Sequence, residues 1–195
     1  MSAAALAGTP ASLDRLRSAD LPLGLQAAAI TATALLTGLL AQAEIQVYLW
    51  EVPLTLQTVA VYGSGLLLGR RNGALAMGLY LLLGLVLPFY AGGASGAAHL
   101  VGPSAGYLLA FPLVSFLVGD LTERRRTFGR SILALAAGSA LLFACGVTVL
   151  HVVAGHETWG ESVVNGWLRF VPWDLAKITL AGAGYAIARR LSGEA

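Results

Sequence analysis

Six apolar stretches run through this chain, at roughly residues 22–42, 54–69, 73–88, 104–121, 129–154 and 172–190. A helix that crosses a bilayer needs roughly 20 apolar residues. Two of the stretches are short, and only Arg70, Arg71 and Asn72 separate them, so they read as a tight hairpin that opens just after Pro53. Of the 195 residues, 57% are hydrophobic and 11% are charged. A soluble domain carries about 25% charged residues. The surface that water would require is missing, so the expected solvent is lipid. Six spans take about 120 residues, which leaves room for one domain only. The expected organisation is an all-α, polytopic membrane protein: a tail at 1–20, a six-helix bundle at 21–190 and a tail at 191–195. Residues 1–20 hold Asp14, Arg15, Arg17 and Asp20 without an apolar core. The first stretch is therefore expected to be a retained helix and not a cleaved signal.

Charge placement sets the expected orientation. Arg15 and Arg17 precede the first stretch, and Arg70 and Arg71 join the second to the third. Arg124, Arg125, Arg126 and Arg130 join the fourth to the fifth, and Arg189 and Arg190 close the sixth. In a six-helix zigzag these ten of the twelve Lys and Arg residues fall on one side. The positive-inside rule makes that side cytoplasmic, with both termini inside. The other side holds Glu44, Glu51, Glu157, Glu161, Asp174, Arg169 and Lys177, and all four tryptophans: Trp50, Trp159, Trp167 and Trp173. Those rings suit either an interfacial belt or the wall of a pocket. The longer connections and the unusual residues gather on this outer side, so the site is expected there.

Lys177 is the only lysine. It lies three residues after Asp174 in Pro172-Trp173-Asp174-Leu175-Ala176-Lys177, so the two share a helix face. Asp174 can be an ordinary first-turn acid, and Lys177 can be a snorkelling anchor. Lys177 sits a full turn inside the segment, however, where ionisable groups are costly and face wet interiors. A carboxylate accepts N–H bonds and an ammonium donates. Together they match a compact neutral head with adjacent N–H and C=O groups, such as a cyclic urea or amide. Without ligand the two are expected to neutralise each other.

Enzyme chemistries fail on inventory. No lysine follows a glycine-rich loop, so there is no ATP-hydrolysing motif of that type. His99, His151 and His156 do not fall at metal-ligand spacing, and no metal or cofactor is expected. No Gly-x-Ser-x-Gly elbow occurs. The Arg124-Arg125-Arg126 run is explained by topology and not by nucleic acid. Cys145 is alone in an apolar run and reads as a packed thiol. In the first stretch, Ala28 and Ala32 are four apart and form a surface that another helix can approach closely, within this chain or from a partner.

Three blocks carry a family resemblance. Val52-Pro53-Leu54-Thr55-Leu56-Gln57-Thr58 resembles a signature of biotin transporter S components, the BioY family. Tyr90-Ala91-Gly92-Gly93-Ala94-Ser95-Gly96, followed by Gly102-Pro103-Ser104-Ala105-Gly106-Tyr107, resembles that family's glycine-rich blocks. Pro172 to Lys177 resembles its block near the last helix. Tyr90, Ser104-Ala105, Trp173 and Ala94 depart from the usual residues.

The resemblance implies the six-helix fold of S components in a prokaryotic plasma membrane. It implies biotin as transported ligand, bound at the outer face by Asp174 and Lys177 and closed over by the loop between the first two helices. It places Gly92, Gly93 and Ser95 in the glycine-rich loop at the site. Tyr107 joins the ligand-binding set. It implies docking of a membrane coupling subunit at Ala28 and Ala32, with two cytoplasmic ATPases as further partners. On the pose it suggests, Asp174 accepts a ureido N–H and Lys177 donates to the ureido oxygen. Tyr90, Trp50 or Trp173 packs on the bicycle. Gln57, Thr55, loop N–H groups and Arg169 are the candidates for the tail carboxylate, and a reversed pose with the carboxylate on Lys177 stays open. So does a stand-alone transporter of biotin or another vitamin driven by an ion gradient.

Overall fold

A glycine break folds the longest helix back on itself. In a computed structural model, which describes residues 13–18, 20–47 and 50–193, helix α1 spans Leu23–Ala41 and α2 spans Gln57–Gly84. Gly69 interrupts α2 with φ 74° and ψ −178°, a conformation only glycine adopts without strain. The Tyr80 hydroxyl then donates to Gln57 Oε1 at 3.1 Å. In a straight helix those residues would lie about 35 Å apart. The first arm (57–68) and second arm (70–84) are therefore antiparallel neighbours. The hairpin turns at Gly69 itself, so Arg70, Arg71 and Asn72, expected as the connection, already belong to the second arm.

The remaining long helices are α3 (Ala105–Leu121), α4 (Phe128–Ala154) and α6 (Val171–Leu191). Two small elements stand where connections and the first residues of the second stretch were expected, so Leu54–Thr55 pairs as a strand instead of opening the helix, which starts at Gln57. Glu44–Ile45 pairs antiparallel with Leu54–Thr55, in the register Glu44↔Thr55. Helix α5 (Trp159–Gly166) starts where the Thr158 hydroxyl caps Glu161 N–H at 3.2 Å. Most of the N-terminal tail and residues 194–195 lie outside the described residues.

Helix α3 is the hub, packed on both arms of α2 and on α4. Small residues let backbones approach, as expected where lipid supplies no drive for helix association. A Cβ on Gly65 would stand 2.6 Å from the Ser115 carbonyl oxygen. The Ser64 and Ser115 hydroxyls meet in the same interface at 2.7 Å.

The exterior is as apolar as a core, and the interior holds several polar side chains. Leu25, Leu39, Leu133 and Leu180 are each more than half exposed. Gln57, Ser64, Asn72, Ser115, Ser139 and Asp174 are buried. α1 and α4 are each long and apolar enough to cross a membrane by length and composition.

The two ends differ as the charge pattern predicts. At one, Arg17 donates to the carbonyls of Leu66 (3.0 Å) and Gly119 (2.7 Å) and to the Thr122 hydroxyl (3.1 Å). It thereby ties α2 to α3 beside Gly69. Asp14 reaches Arg126 at 2.5 Å and Arg189 at 3.7 Å, which draws α6 and the α3–α4 turn together. Trp50, Trp159 and Trp167 cluster at the other end, against Phe170, His151 and Phe143.

Candidate functional site

At the tryptophan end, six segments close around a narrow cavity of about 70 Å³. The β-hairpin loop contributes Val52, Pro53 and Thr55, and the start of α2 contributes Gln57 and Thr58. The glycine-rich connection contributes Ala91, His99 and Ser104. Helices α3 and α4 supply Tyr107, Leu108, Phe111, Leu142 and Phe143. Phe170 and the start of α6, with Asp174 and Lys177, complete the wall. The composition is mostly apolar with a few convergent polar groups, as in small-molecule sites generally. Such sites usually enclose about 300 Å³ or more. A bulky ligand therefore requires part of this wall to yield. The pieces outside the long helices are the hairpin loop and the glycine-rich connection.

Asp174 is 5% exposed. Tyr62, from the first arm of α2, donates to its Oδ1 at 2.7 Å, and Ser139, from α4, donates to Oδ2 at 2.5 Å. Each carboxylate oxygen keeps a further lone pair for a ligand. Asp174 and Lys177 make no direct ion pair among the described residues; the acid takes its contacts from two hydroxyls and acts on the ammonium only electrostatically, across a gap. Lys177 has no hydrogen-bond or ion-pair partner among the described residues, so its three N–H donors are available to whatever enters.

Two more polar groups are poised. Tyr80 holds Gln57 through Oε1, which leaves the Gln57 amide N–H donors for the cavity. The Thr58 hydroxyl is buried without a hydrogen-bond partner and lines the same space. Leaving such a group unpaired costs about 1–3 kcal/mol, a cost that a ligand acceptor or donor would remove.

Of the residues expected at the site, Asp174, Lys177, Gln57, Thr55 and Tyr107 line the cavity. Tyr107 is fixed by its hydroxyl, which donates to the Gly166 carbonyl at 2.6 Å. Six others do not line it. Tyr90 is fully buried behind the wall, its hydroxyl donating to the Leu81 carbonyl at 2.8 Å and its ring stacked on His99 at 5.2 Å. Trp50 packs on Phe170 at 5.2 Å, with the Arg169 guanidinium over its ring at 5.7 Å. Both rings therefore support wall residues without touching the cavity. Trp173 is 50% exposed on the outside of α6, where an interfacial tryptophan is at home. Gly92, Gly93 and Ser95 are exposed. The two glycines have φ of 67° and 70°, and that turn brings Ala91 and His99 to the wall. Arg169 is also absent from the wall.

Sequence reasoning passed over Tyr62, Ser139, Thr58, His99 and the phenylalanine wall of Phe111, Phe143 and Phe170. Thr58 alone had a signal, since it sits in the same block as Thr55 and Gln57. Ala28 and Ala32 lie exposed on α1 with no neighbour from this chain covering them.

This combination defines an all-α membrane protein with a small, mostly apolar cavity near one end of its bundle. The BioY family model matches residues 15–193, and the chain belongs to that family. Similar relatives include the biotin transporter BioY of Thermotoga maritima, 38% identical over 70% of this chain and 80% of its own length. The biotin transporter BioY of Rhizobium etli is 35% identical over 67% of this chain and 74% of its own length. Among solved structures, the S-component for biotin from an ECF-type ABC transporter aligns with a TM-score of 0.75 and 28% identity, covering 88% of this chain and 93% of that one.

Proposed function

We propose that this chain captures biotin as the substrate-binding subunit of an energy-coupling factor transporter and takes part in its uptake across a prokaryotic cell membrane; it is not an enzyme. The observation that carries the reading is the buried Asp174 carboxylate, held by two hydroxyls beside an unpaired Lys177, at the floor of a cavity walled by aromatic rings. Asp174 accepts a ureido N–H, and Lys177 donates to the ureido oxygen. The bicycle packs among Tyr107, Phe111, Phe143 and Phe170. Gln57, Ser104 and His99 remain for the tail carboxylate. The hairpin loop, through Val52, Pro53 and Thr55, is the part of the wall that admits and covers the ligand.

The chain crosses the bilayer six times: by α1, the two arms of α2, α3, α4 and α6. Its arginine end and both termini are cytoplasmic, and the cavity opens outward. The clustering of Arg17, Arg70, Arg126 and Arg189 at one end supports this orientation. The exposed Ala28 and Ala32 face of α1 docks a membrane coupling subunit, which joins two cytoplasmic ATPases. No ATP-binding motif exists in this chain, so the energy for release inward comes from those partners.

Uptake of labelled biotin into a host carrying this chain with and without the coupling subunit and ATPases tests the proposal. Uptake is expected only with the full set. Uptake that persists without the ATPases and collapses with the proton gradient would overturn it in favour of a stand-alone, gradient-driven transporter.

A further inference from the structure

A second cavity lies at the opposite end of the bundle from the biotin site. It encloses about 420 Å³ and is lined by Arg125, Arg126, Arg189 and Arg190, together with Thr127, Phe128, Ser131, Tyr185 and Ala186. We propose that this cavity binds a phosphate group, supplied by the headgroup of an anionic phospholipid in the arginine-side leaflet. The site is distinct from the biotin cavity, and the proposal does not rest on biotin being the ligand there.

Charge is the first ground. Four guanidinium groups converge, and guanidinium geometry suits phosphate oxygens. Arg126 and Arg189 are engaged: Asp14 lies 2.5 Å from Arg126 and 3.7 Å from Arg189, and Arg189 also donates to the Arg126 carbonyl at 2.6 Å and sits over the Tyr185 ring. Arg125 and Arg190 form no ion pair among the described residues. The cavity therefore keeps an excess of positive charge.

Topology alone explains arginines at this end, but it does not explain the buried hydroxyls. Ser131 is 1% exposed, lines the cavity, and its hydroxyl has no hydrogen-bond partner among the described residues; Tyr185, 6% exposed, lines the same space with its hydroxyl beside the Arg17 guanidinium. Arg126 Nε is buried without a partner as well. Buried polar groups are normally paired. The orphaned Ser131 hydroxyl and Arg126 N–H, with the Tyr185 hydroxyl on the same space, describe donors that a tetrahedral oxyanion would engage.

The backbone adds a third ground. Helix α4 begins here, with Thr127 as its N-cap and Phe128 in its first turn. The Thr127 hydroxyl caps the Arg130 N–H at 3.3 Å, and the helix dipole favours an anion near the remaining first-turn N–H groups. The cavity also has an apolar flank. Phe128 is 54% exposed, and Ala186 lies beside it on α6. That flank suits the glycerol and acyl portion of a lipid better than it suits a free ion.

The test uses the full chain purified in detergent and offered phosphatidylglycerol and phosphatidylcholine in equal amounts. Retained lipid is read by native mass spectrometry. The wild type is expected to retain phosphatidylglycerol at least about tenfold over phosphatidylcholine. The pair Ser131→Ala with Tyr185→Phe should reduce that preference about fivefold or more. Arg190→Gln, at an exposed position that folding tolerates, should reduce it too. A parallel arm adds inorganic phosphate to lipid-free protein against chloride at matched ionic strength. A rise in melting midpoint there, without lipid preference, keeps the phosphate site and assigns it to the free ion.

Equal retention of both lipids with no phosphate-dependent shift overturns the proposal. So does a loss of preference in Arg190→Gln with none in the hydroxyl pair, which would reduce the effect to general surface charge. Biotin titration of the same samples should be unchanged. If the hydroxyl pair loses biotin binding as well, it has misfolded, and the Arg190→Gln result and the phosphate arm decide the matter.

Discussion

The Tyr62 hydroxyl donates to Asp174 Oδ1 at 2.7 Å, joining two side chains 112 residues apart in sequence. With Ser139 on Oδ2, it fixes the carboxylate at the cavity floor and takes the role that a direct pair with Lys177 would have played. The acid is thereby tolerated at depth while the ammonium is kept available, and the two groups face an incoming head as separate acceptor and donor.

Tyr62→Phe should leave Asp174 with one hydroxyl donor and a less fixed carboxylate. A buried charged group that loses a partner is destabilised by about 1–3 kcal/mol. Thermal melting in detergent should fall, and biotin affinity should drop about tenfold. Unchanged melting and affinity would mean that the hydrogen bond contributes nothing to positioning.

Lys177→Met keeps the unbranched stem, one atom shorter, and removes its donors. The wall stays packed, so folding should be preserved. Biotin affinity should fall by about 2–5 kcal/mol, an effect of about 30-fold or more, measured by titration at constant ionic strength.

His156 ties the hairpin loop to α5. Its Nε2 lies 3.1 Å from Glu51 Oε1, and its Nδ1 lies 2.9 Å from the Ser162 hydroxyl. Glu51 immediately precedes Val52 and Pro53 in the cavity wall. His156→Ala should free that segment and speed biotin release about threefold or more, with a smaller change in capture rate, as is usual for contacts made after encounter. Stopped-flow displacement with excess unlabelled ligand reads both rates.

Ala32→Trp places a bulky ring on the uncovered face of α1, far from the cavity. Biotin binding to the purified chain should match the wild type, while uptake in cells with the full transporter should be abolished. Uptake at the wild-type level would remove this face from the docking surface.

The fold was legible where lipid imposes simple rules. The apolar stretches mark the helices, and the arginine clusters mark one end, because both patterns follow from the cost of placing polar groups in hydrocarbon. The turn at Gly69 was not legible to the residue, since a glycine in an apolar run has the same composition whether it breaks the helix or packs within it. Asp174 and Lys177 stood out because ionisable residues in a span are rare. Tyr62 and Ser139 did not, because their partner is distant in sequence and each alone is an unremarkable residue in a helix. Trp50, Trp173 and Tyr90 looked like wall residues and are not, whereas Phe111, Phe143 and Phe170 looked ordinary and are. In a membrane the outside of a bundle is as apolar as its inside, so periodicity does not say which ring faces a cavity.

The most direct measurement is a side-by-side calorimetric titration of biotin into the purified wild type and Asp174→Asn. The account predicts tight, saturable, one-to-one binding to the wild type and a loss of about 30-fold or more in the variant. Equal binding by the two proteins, or no binding by the wild type, would contradict it.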